Sequence, residues 1–451
     1  TGLTALDLWR HYQHTLDKQY LKDYAYPVMR EVVRFYANKL EQNQKGEYYL
    51  PEALPYESPT SLLCRNTTND LAVIRNIFPA FISAAGELRK DEQQRLTAAE
   101  IMRNLSPYVF TRIPESAIPW GPVEPGDPII AYGERLKTGL PGHPWSTRPY
   151  WMGDDAPMDM PSSNHNINAQ LTPVFPANLV SLDDKGNELF ESFRNAALSF
   201  DPVAHTGHGI APVCFARLGL VEYLPDILGK WVDQFQIFPQ GLFCYWQRDY
   251  IDAYEKGASG DLYSTSEHKI RGLTNEVKVL MSDREEKVNI LRRPFAHTAL
   301  EAGSILATTI NEMLLQSHRG KIRVFPEVPD NWESRFKLHA QGGFVVTSER
   351  AEREVKYIAI ESQAGQPCCV LTPWREEGKV RIRLAGNGNT ILEETDSSDL
   401  TFKTRPGEIY IIERHNNPVF SFRQITIGGN KNKNRDIKSK RGAQIGISRR
   451  F

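Results

Sequence analysis

Cysteine is scarce: the 451 residues contain 5, at Cys64, Cys214, Cys244, Cys368 and Cys369. None forms a CxxC pair or stands at metal-ligand spacing from a histidine, so no zinc site is expected. An odd, scattered set does not make a disulfide framework either. The adjacent Cys368 and Cys369 read as a strand with one thiol on each face. Net charge is nearly absent at −1, which removes the field that draws a protein to nucleic acid or a membrane surface. No apolar run approaches the ~18 residues of a membrane-crossing helix, and no internal repeat or signal peptide is visible. The chain begins with Thr1, close to a helix and not with methionine, so the natural start is expected further upstream. What is present suits a globular chain of about two or three domains. Hydrophobic residues make up 40% and charged residues 24%, and the 8 Trp and 18 Tyr suit a plain core and a sugar-stacking cleft equally.

Up to residue 320 the chain reads as helices separated by long loops rich in proline and glycine. Apolar residues recur at helical spacing over Thr4–Leu16, Pro27–Leu40, Asp70–Leu88, Asp91–Leu105, Glu188–Leu198, Gly209–Leu220, Tyr223–Phe235 and His297–Ser317. Pro27 suits a first helical turn, where its missing N–H costs nothing. Thr68 or Asn69 is the expected cap of the third helix, with Asp70 favourably placed near its positive end. The connections are too long for a compact bundle, which favours an α/α toroid. Those over 111–170 and 240–293 have the length of loops that carry function.

From Lys321 the texture changes to short apolar or alternating runs between Gly, Pro and Asn turns, the signature of a small antiparallel β-domain. The expected division is therefore a helical catalytic part over 1–320, a sandwich-like β-domain over 321–427, and a basic tail over 428–451 that reads as disordered.

Cleaving a glycosidic bond takes one carboxylic acid to protonate the leaving oxygen and a second group to activate water or attack carbon. Glu57, between Pro55 and Pro59 and beside Tyr56, has the stiff, apolar setting that would keep a carboxyl protonated, although a solvated loop glutamate fits the same string. Glu301 begins a strongly apolar helix and has small residues after it; it reads as a carboxylate facing a cavity or as a partner of the helix dipole. His165, flanked by Asn164 and Asn166, sits in an amide-rich stretch that offers both donors and acceptors to sugar hydroxyls, or else a loop held by Asx turns. His208 follows Gly207 at a helix entry and lacks a suitably spaced carboxylate for metal binding. Trp151 is either a stacking platform or ordinary packing.

Several strings align in order with one family. Asn311-Glu312-Met313-Leu314-Leu315-Gln316-Ser317-His318 resembles the late barrel helix of glycoside hydrolase family 95, the inverting α-L-fucosidases and α-L-galactosidases. Gly320 to Pro326, with Trp332 and Gln341-Gly342-Gly343-Phe344, is similar to that family's exit into its C-terminal β-domain. Pro173-Val174-Phe175-Pro176 and the Asp70–Phe78 helix look like two further family segments.

The resemblance implies an (α/α)6-type toroid, incomplete at its N-terminus, followed by the β-domain. It also implies removal of a terminal fucose- or galactose-like sugar from an oligo- or polysaccharide, with no cofactor, metal, nucleic-acid or membrane partner, in a secreted or periplasmic protein. Glu57 falls near the family's general acid and Glu301 at its water-assisting aspartate; Asn164, His165, Asn166, His208 and Trp151 are the expected sugar contacts. The sequence also departs from the family pattern. Thr60 stands at the strict acid position, Glu301-Ala302-Gly303 replaces Asp-Gly-Asn, and the family's paired asparagines would lie upstream of Thr1. These departures keep a second reading open, a non-catalytic glycan-binding protein. A polysaccharide lyase or a phosphorylase on a related scaffold is a weaker third.

Overall fold

In the computed structural model of the chain, the described residues are 2–53, 63–137 apart from 114 and 116–118, 169–236 apart from 200, 204 and 205, 242–248, 298–419 apart from 375–378, 387, 396 and 398, and 422. Helices dominate the first part, with three short two-stranded ladders among them (Glu41–Gln42 with Tyr48–Tyr49, Leu63–Arg65 with Glu134–Lys137, Phe110–Arg112 with Pro128–Ile130), and the two large sheets come last.

The first helical group contains α1 (Gly2–Thr15), α2 (Tyr26–Lys39), α3 (Thr68–Leu88) and α4 (Glu92–Arg103). Asp17 caps a short turn after α1 by accepting from the Gln19 and Tyr20 amides, and a π-helical stretch, Leu21–Ala25, leads into α2. Pro27 occupies the first turn of α2, as expected. The cap of α3 is Thr67, one residue before the expected position, because the Thr68 hydroxyl is committed to the Ala131 carbonyl at 2.7 Å. Leu71, Ile74, Ile77, Phe78 and Phe81 of α3 are fully buried in one core with α1, α2 and α4. By length and composition α3 would pass for a membrane span, with a mean hydropathy of 1.3 over its most apolar window. Its apolar side chains are instead spent on that core. Tyr36 of α2 donates to the Asp70 carboxylate at 2.6 Å, which fixes α2 against the start of α3.

The second helical group contains α5 (Glu188–Leu198), α6 (Ala211–Arg217), α7 (Leu224–Phe235) and α8 (Leu300–Leu314), packed around Phe190, Phe193, Phe215, Trp231 and Met313. Asn187 caps α5 by accepting from the Phe190 amide at 2.7 Å. The last helix is shorter than its periodicity suggests. Leu315 and Gln316 leave it as a strand pairing with Val324 and Arg323, so the apolar spacing that continues past Leu314 belongs to a sheet.

Two sheets share one core at the C-terminal end. Numbering strands from here, β1 is Leu315–Gln316, β2 Ile322–Val324, β3 Ser334–Ala340, β4 Phe344–Ala351, β5 Glu354–Ser362, β6 Cys368–Leu371, β7 Val380–Leu384, β8 Thr390–Thr395, β9 Asp399–Phe402 and β10 Ile409–Arg414. The six-stranded sheet runs β8-β7-β10-β5-β4-β3, all antiparallel, and the four-stranded sheet runs β9-β6-β2-β1 with a parallel β6–β2 pair. Val346, Ile358, Ile360, Ile382 and Ile412 from the larger sheet meet Ile322, Cys368, Val370, Leu400 and Phe402 from the smaller. Cys368 is buried in that core, while Cys369, on the opposite face of β6, contacts Asp399.

Candidate active site

The start of α8 is where three chain segments meet. Ala299 donates its amide to the Phe243 carbonyl at 2.9 Å, and Cys244 and Thr298 form a β-bridge. Gly207 in turn donates to the Tyr245 carbonyl at 2.7 Å, and Thr206 bridges Trp246. From the other side, the buried Trp231 indole of α7 donates to the Ala302 carbonyl at 2.9 Å. Residues 206–208, 243–246 and 298–302 are therefore held together by backbone hydrogen bonds, the firmest means of fixing a site without involving its functional side chains.

Glu301 lies in the first turn of this helix and is exposed, with Ala302 behind it fully buried. Among the described residues its carboxylate has no hydrogen bond or ion pair. It occupies the end of α8 where the helix dipole favours an anion. His208 is half-buried and stacks on Tyr245 with ring centroids 5.1 Å apart at 19°; Tyr245 in turn meets Trp246 edge-on at 5.2 Å. Two of the expected site residues, Glu301 and His208, thus sit on segments that touch through Ala302 and Gly207. The Tyr245–Trp246 ring pair beside His208 is not expected from the sequence. Its only trace there was an aromatic doublet inside the long 240–293 connection.

Glu57, Asn164, His165, Asn166 and Trp151 lie outside the described residues, as does the basic tail. The end of the amide-rich stretch is described. Gln170 is 1% exposed, and neither its side-chain oxygen nor its nitrogen has a partner among the described residues. Such unmet capacity in a buried amide marks a place for water or a ligand hydroxyl. Among the described residues no group of His, Cys, Asp and Glu has the arrangement of a metal site.

The approach of Gly207 to α8 requires glycine. A Cβ there would lie 2.5 Å from the Ala302 Cβ and 3.2 Å from the Cys244 carbonyl oxygen, and neither can swing aside. Gly207→Ala is expected to push the 206–208 turn off α8 and to destabilise the protein by about 1–3 kcal/mol. Denaturant melts check the loss of stability, and a fall in activity beyond that loss would report displacement of Glu301.

At the opposite end of α8, Glu312 accepts from Arg217 in a two-point ion pair, at 3.0 Å from Nε and 2.7 Å from a terminal nitrogen. Arg217 also donates to the Val174 carbonyl at 2.8 Å and to the Asn178 side chain. The Phe175 ring is flanked by Arg217 at 5.0 Å and Arg10 at 5.4 Å. Next to this pair His318 is 2% exposed, with neither ring nitrogen partnered among the described residues. Burial, together with Arg217, Arg323, Arg319 and Arg10, holds its pKa well below the usual histidine range. The facing carboxylate is Glu312, already engaged by Arg217. The folded protein therefore keeps His318 neutral while the unfolded chain takes up a proton below about pH 6.5. Stability from this group is complete above that pH and declines as pH falls through it. His318→Gln should flatten the decline between about pH 6.5 and 5, a change readable in urea midpoints across that range.

Comparison with known sequences finds similarity to glycoside hydrolases in two stretches of the chain. Residues 2–115 match the glycosyl hydrolase family 95 catalytic domain and residues 316–412 the glycoside hydrolase family 95 C-terminal domain. Both matched stretches are thus similar to domains of glycoside hydrolase family 95. A kojibiose hydrolase of Flavobacterium johnsoniae is 30% identical over 77 residues, which is 17% of this chain and 11% of that protein. Among solved structures, a protein described as a kojibiose phosphorylase from the human microbiome aligns with TM-score 0.41 and 9% identity, over 89% of this chain and 49% of that one. An α-L-rhamnosidase from Dictyoglumus thermophilum aligns with TM-score 0.36 and 13% identity, over 90% and 39%. The chain thus spans less than half the length of each of these relatives.

Proposed function

We propose that the protein is a glycoside hydrolase that removes a terminal fucose- or galactose-like sugar from an oligo- or polysaccharide with inversion, on a helical toroid to which these helices contribute. Glu57 donates the proton to the leaving oxygen. Glu301 polarises the water that attacks the opposite face of the sugar, with His208 and the Tyr245–Trp246 rings lining its approach. The observation that carries this reading is the placement of Glu301. An exposed carboxylate with no partner among the described residues stands at the start of a helix that backbone hydrogen bonds pin to an aromatic-bearing segment and a histidine turn. A catalytic base needs that combination of a rigid support and an open face. The match of residues 2–115 and 316–412 to family 95 domains supports the reaction class.

The test uses the full-length protein and a panel of aryl glycosides that includes α-L-fucosides and α-L-galactosides. Turnover with the opposite anomer released first, seen by NMR of fresh product, supports the reading. Sugar binding without turnover on any panel member would instead favour a non-catalytic glycan-binding protein, the reading that Thr60 at the acid position keeps in play.

A further inference from the structure

Between α1 and the C-terminal sheets lies a cleft of about 710 Å3, within the size range of small-ligand sites. One wall is α1, where half-buried Trp9 packs on the buried Tyr12 with ring centroids 5.2 Å apart, and the other is the turn after β3, followed by the buried Phe344. The walls are fixed to each other. Gly342 donates its amide to the Gln13 carbonyl at 2.8 Å, the Gln341 side chain reaches that of Gln13 at 3.3 Å, and Ser317 accepts the Gln341 amide at 3.0 Å. Ser317 and Gln341 also line a second hollow of about 210 Å3 that runs in beside Arg217, Glu312 and His318. The smaller hollow is polar, and its buried histidine, 2% exposed, has two unpartnered ring nitrogens among the described residues.

We propose that this cleft binds a neutral sugar unit of a glycan at a site separate from the Glu301 end. The chemistry of the lining selects the ligand. The open face of Trp9 suits the C–H face of a pyranose, and amides, a hydroxyl and an imidazole offer donors and acceptors in the mixture that sugar hydroxyls need. The ionic pairs within reach, Arg217 with Glu312, Lys18 with Glu87 at 2.9 Å and Arg10 with Asp7 at 3.2 Å, each cancel internally, so the lining does not favour a strongly charged ligand. Separation from the proposed reaction centre follows from α8 itself. Glu301 and Glu312 are eleven residues apart on one helix, about 16 Å at 1.5 Å per residue. The site would hold a second portion of a polymeric glycan against the protein, and it does not require Glu301 to be catalytic.

Saturation-transfer NMR of the full chain with L-fucose, D-galactose and kojibiose tests the proposal, with wild type compared to Trp9→Ala, Ala364→Trp and Glu301→Gln. Ala364 lines the sheet side of the cleft, and tryptophan there fills the space without removing a native contact. At least one sugar should show a binding component that wild type and Glu301→Gln share, that weakens roughly tenfold with Trp9→Ala, and that disappears with Ala364→Trp, leaving only binding at the Glu301 end. Three results overturn the site: no sugar binding to wild type, total binding unchanged in both cleft variants with their melting temperatures unchanged, or all binding lost in Glu301→Gln. If Trp9→Ala unfolds, Ala364→Trp decides. Loss of aryl-glycoside turnover without loss of this binding would count against the proposed hydrolase alone.

Discussion

Glu301→Gln should lower kcat on aryl glycosides by roughly 10²–10⁴-fold, with KM little changed, because general-base help to the attacking water is felt only as the bond to carbon forms. The amide keeps the size and hydrogen-bonding reach of the carboxylate and removes only its basicity. Glu57→Gln should show a different pattern. A leaving group that departs readily as its anion needs little protonation, so nitrophenyl glycosides should be affected far less than alkyl glycosides. Glu301→Gln should slow both alike. This contrast separates an acid from a base without any structure of a complex. A decrease of less than about fivefold for Glu301→Gln on every substrate would reduce Glu301 to a helix-end anion, whose value is about 0.3–1 kcal/mol of stability.

The second large effect concerns folding. Arg217 is 4% exposed and Glu312 16%, and the two meet in a bidentate pair between α6 and α8. Removing one member strands the other charge in the interior. Either Arg217→Met or Glu312→Leu should therefore cost about 3–5 kcal/mol, read from urea unfolding. The double variant should be less destabilised than the sum of the single ones, since it leaves no unpaired charge on either helix. Arg217 also donates to the Val174 carbonyl and the Asn178 side chain, so its loss should exceed that of Glu312. Additive single effects would mean that the pair is not coupled as its geometry indicates.

Much of this architecture is legible in the sequence, for a physical reason. A helix or strand that buries one face must repeat its apolar residues at the period of its backbone. Leu71, Ile74, Ile77, Phe78 and Phe81 announce α3 in this way, and Val355 to Ile360 announce β5. Errors arise where the period is too short to read. Leu315 and Gln316 extend the apolar spacing of α8, yet they pair with β2, and two residues cannot show whether they follow a period of two or of 3.6. The cap of α3 is displaced because the Thr68 hydroxyl is drawn to a carbonyl 63 residues away, a partner no local rule reveals.

The candidate site divides along the same line. Glu301 stands out as a carboxylate at the start of an apolar helix, and His208 as a histidine in a glycine-flanked turn. Their nearness was not readable, because the bridges from Thr206 to Trp246 and from Cys244 to Thr298 are made by backbone atoms, which leave no side-chain signature. Gly207 is the partial exception, since the absence of a Cβ is what allows Ala302 so close. The Arg217–Glu312 pair, 95 residues apart in sequence, was equally silent. The roles of Glu57, Asn164, His165, Asn166 and Trp151 rest on their strings and on the family resemblance.

The account depends most on two acidic side chains from distant parts of the chain meeting across one sugar. A crystal structure of the full-length Glu301→Gln protein soaked with an intact α-L-fucosyl or α-L-galactosyl oligosaccharide measures this directly. The predicted result is a sugar ring with its anomeric carbon between residues 57 and 301, whose side-chain termini are about 6.5–9.5 Å apart. A sugar bound with residue 301 turned away from it, or with residue 57 on another face of the protein, would contradict the assignment.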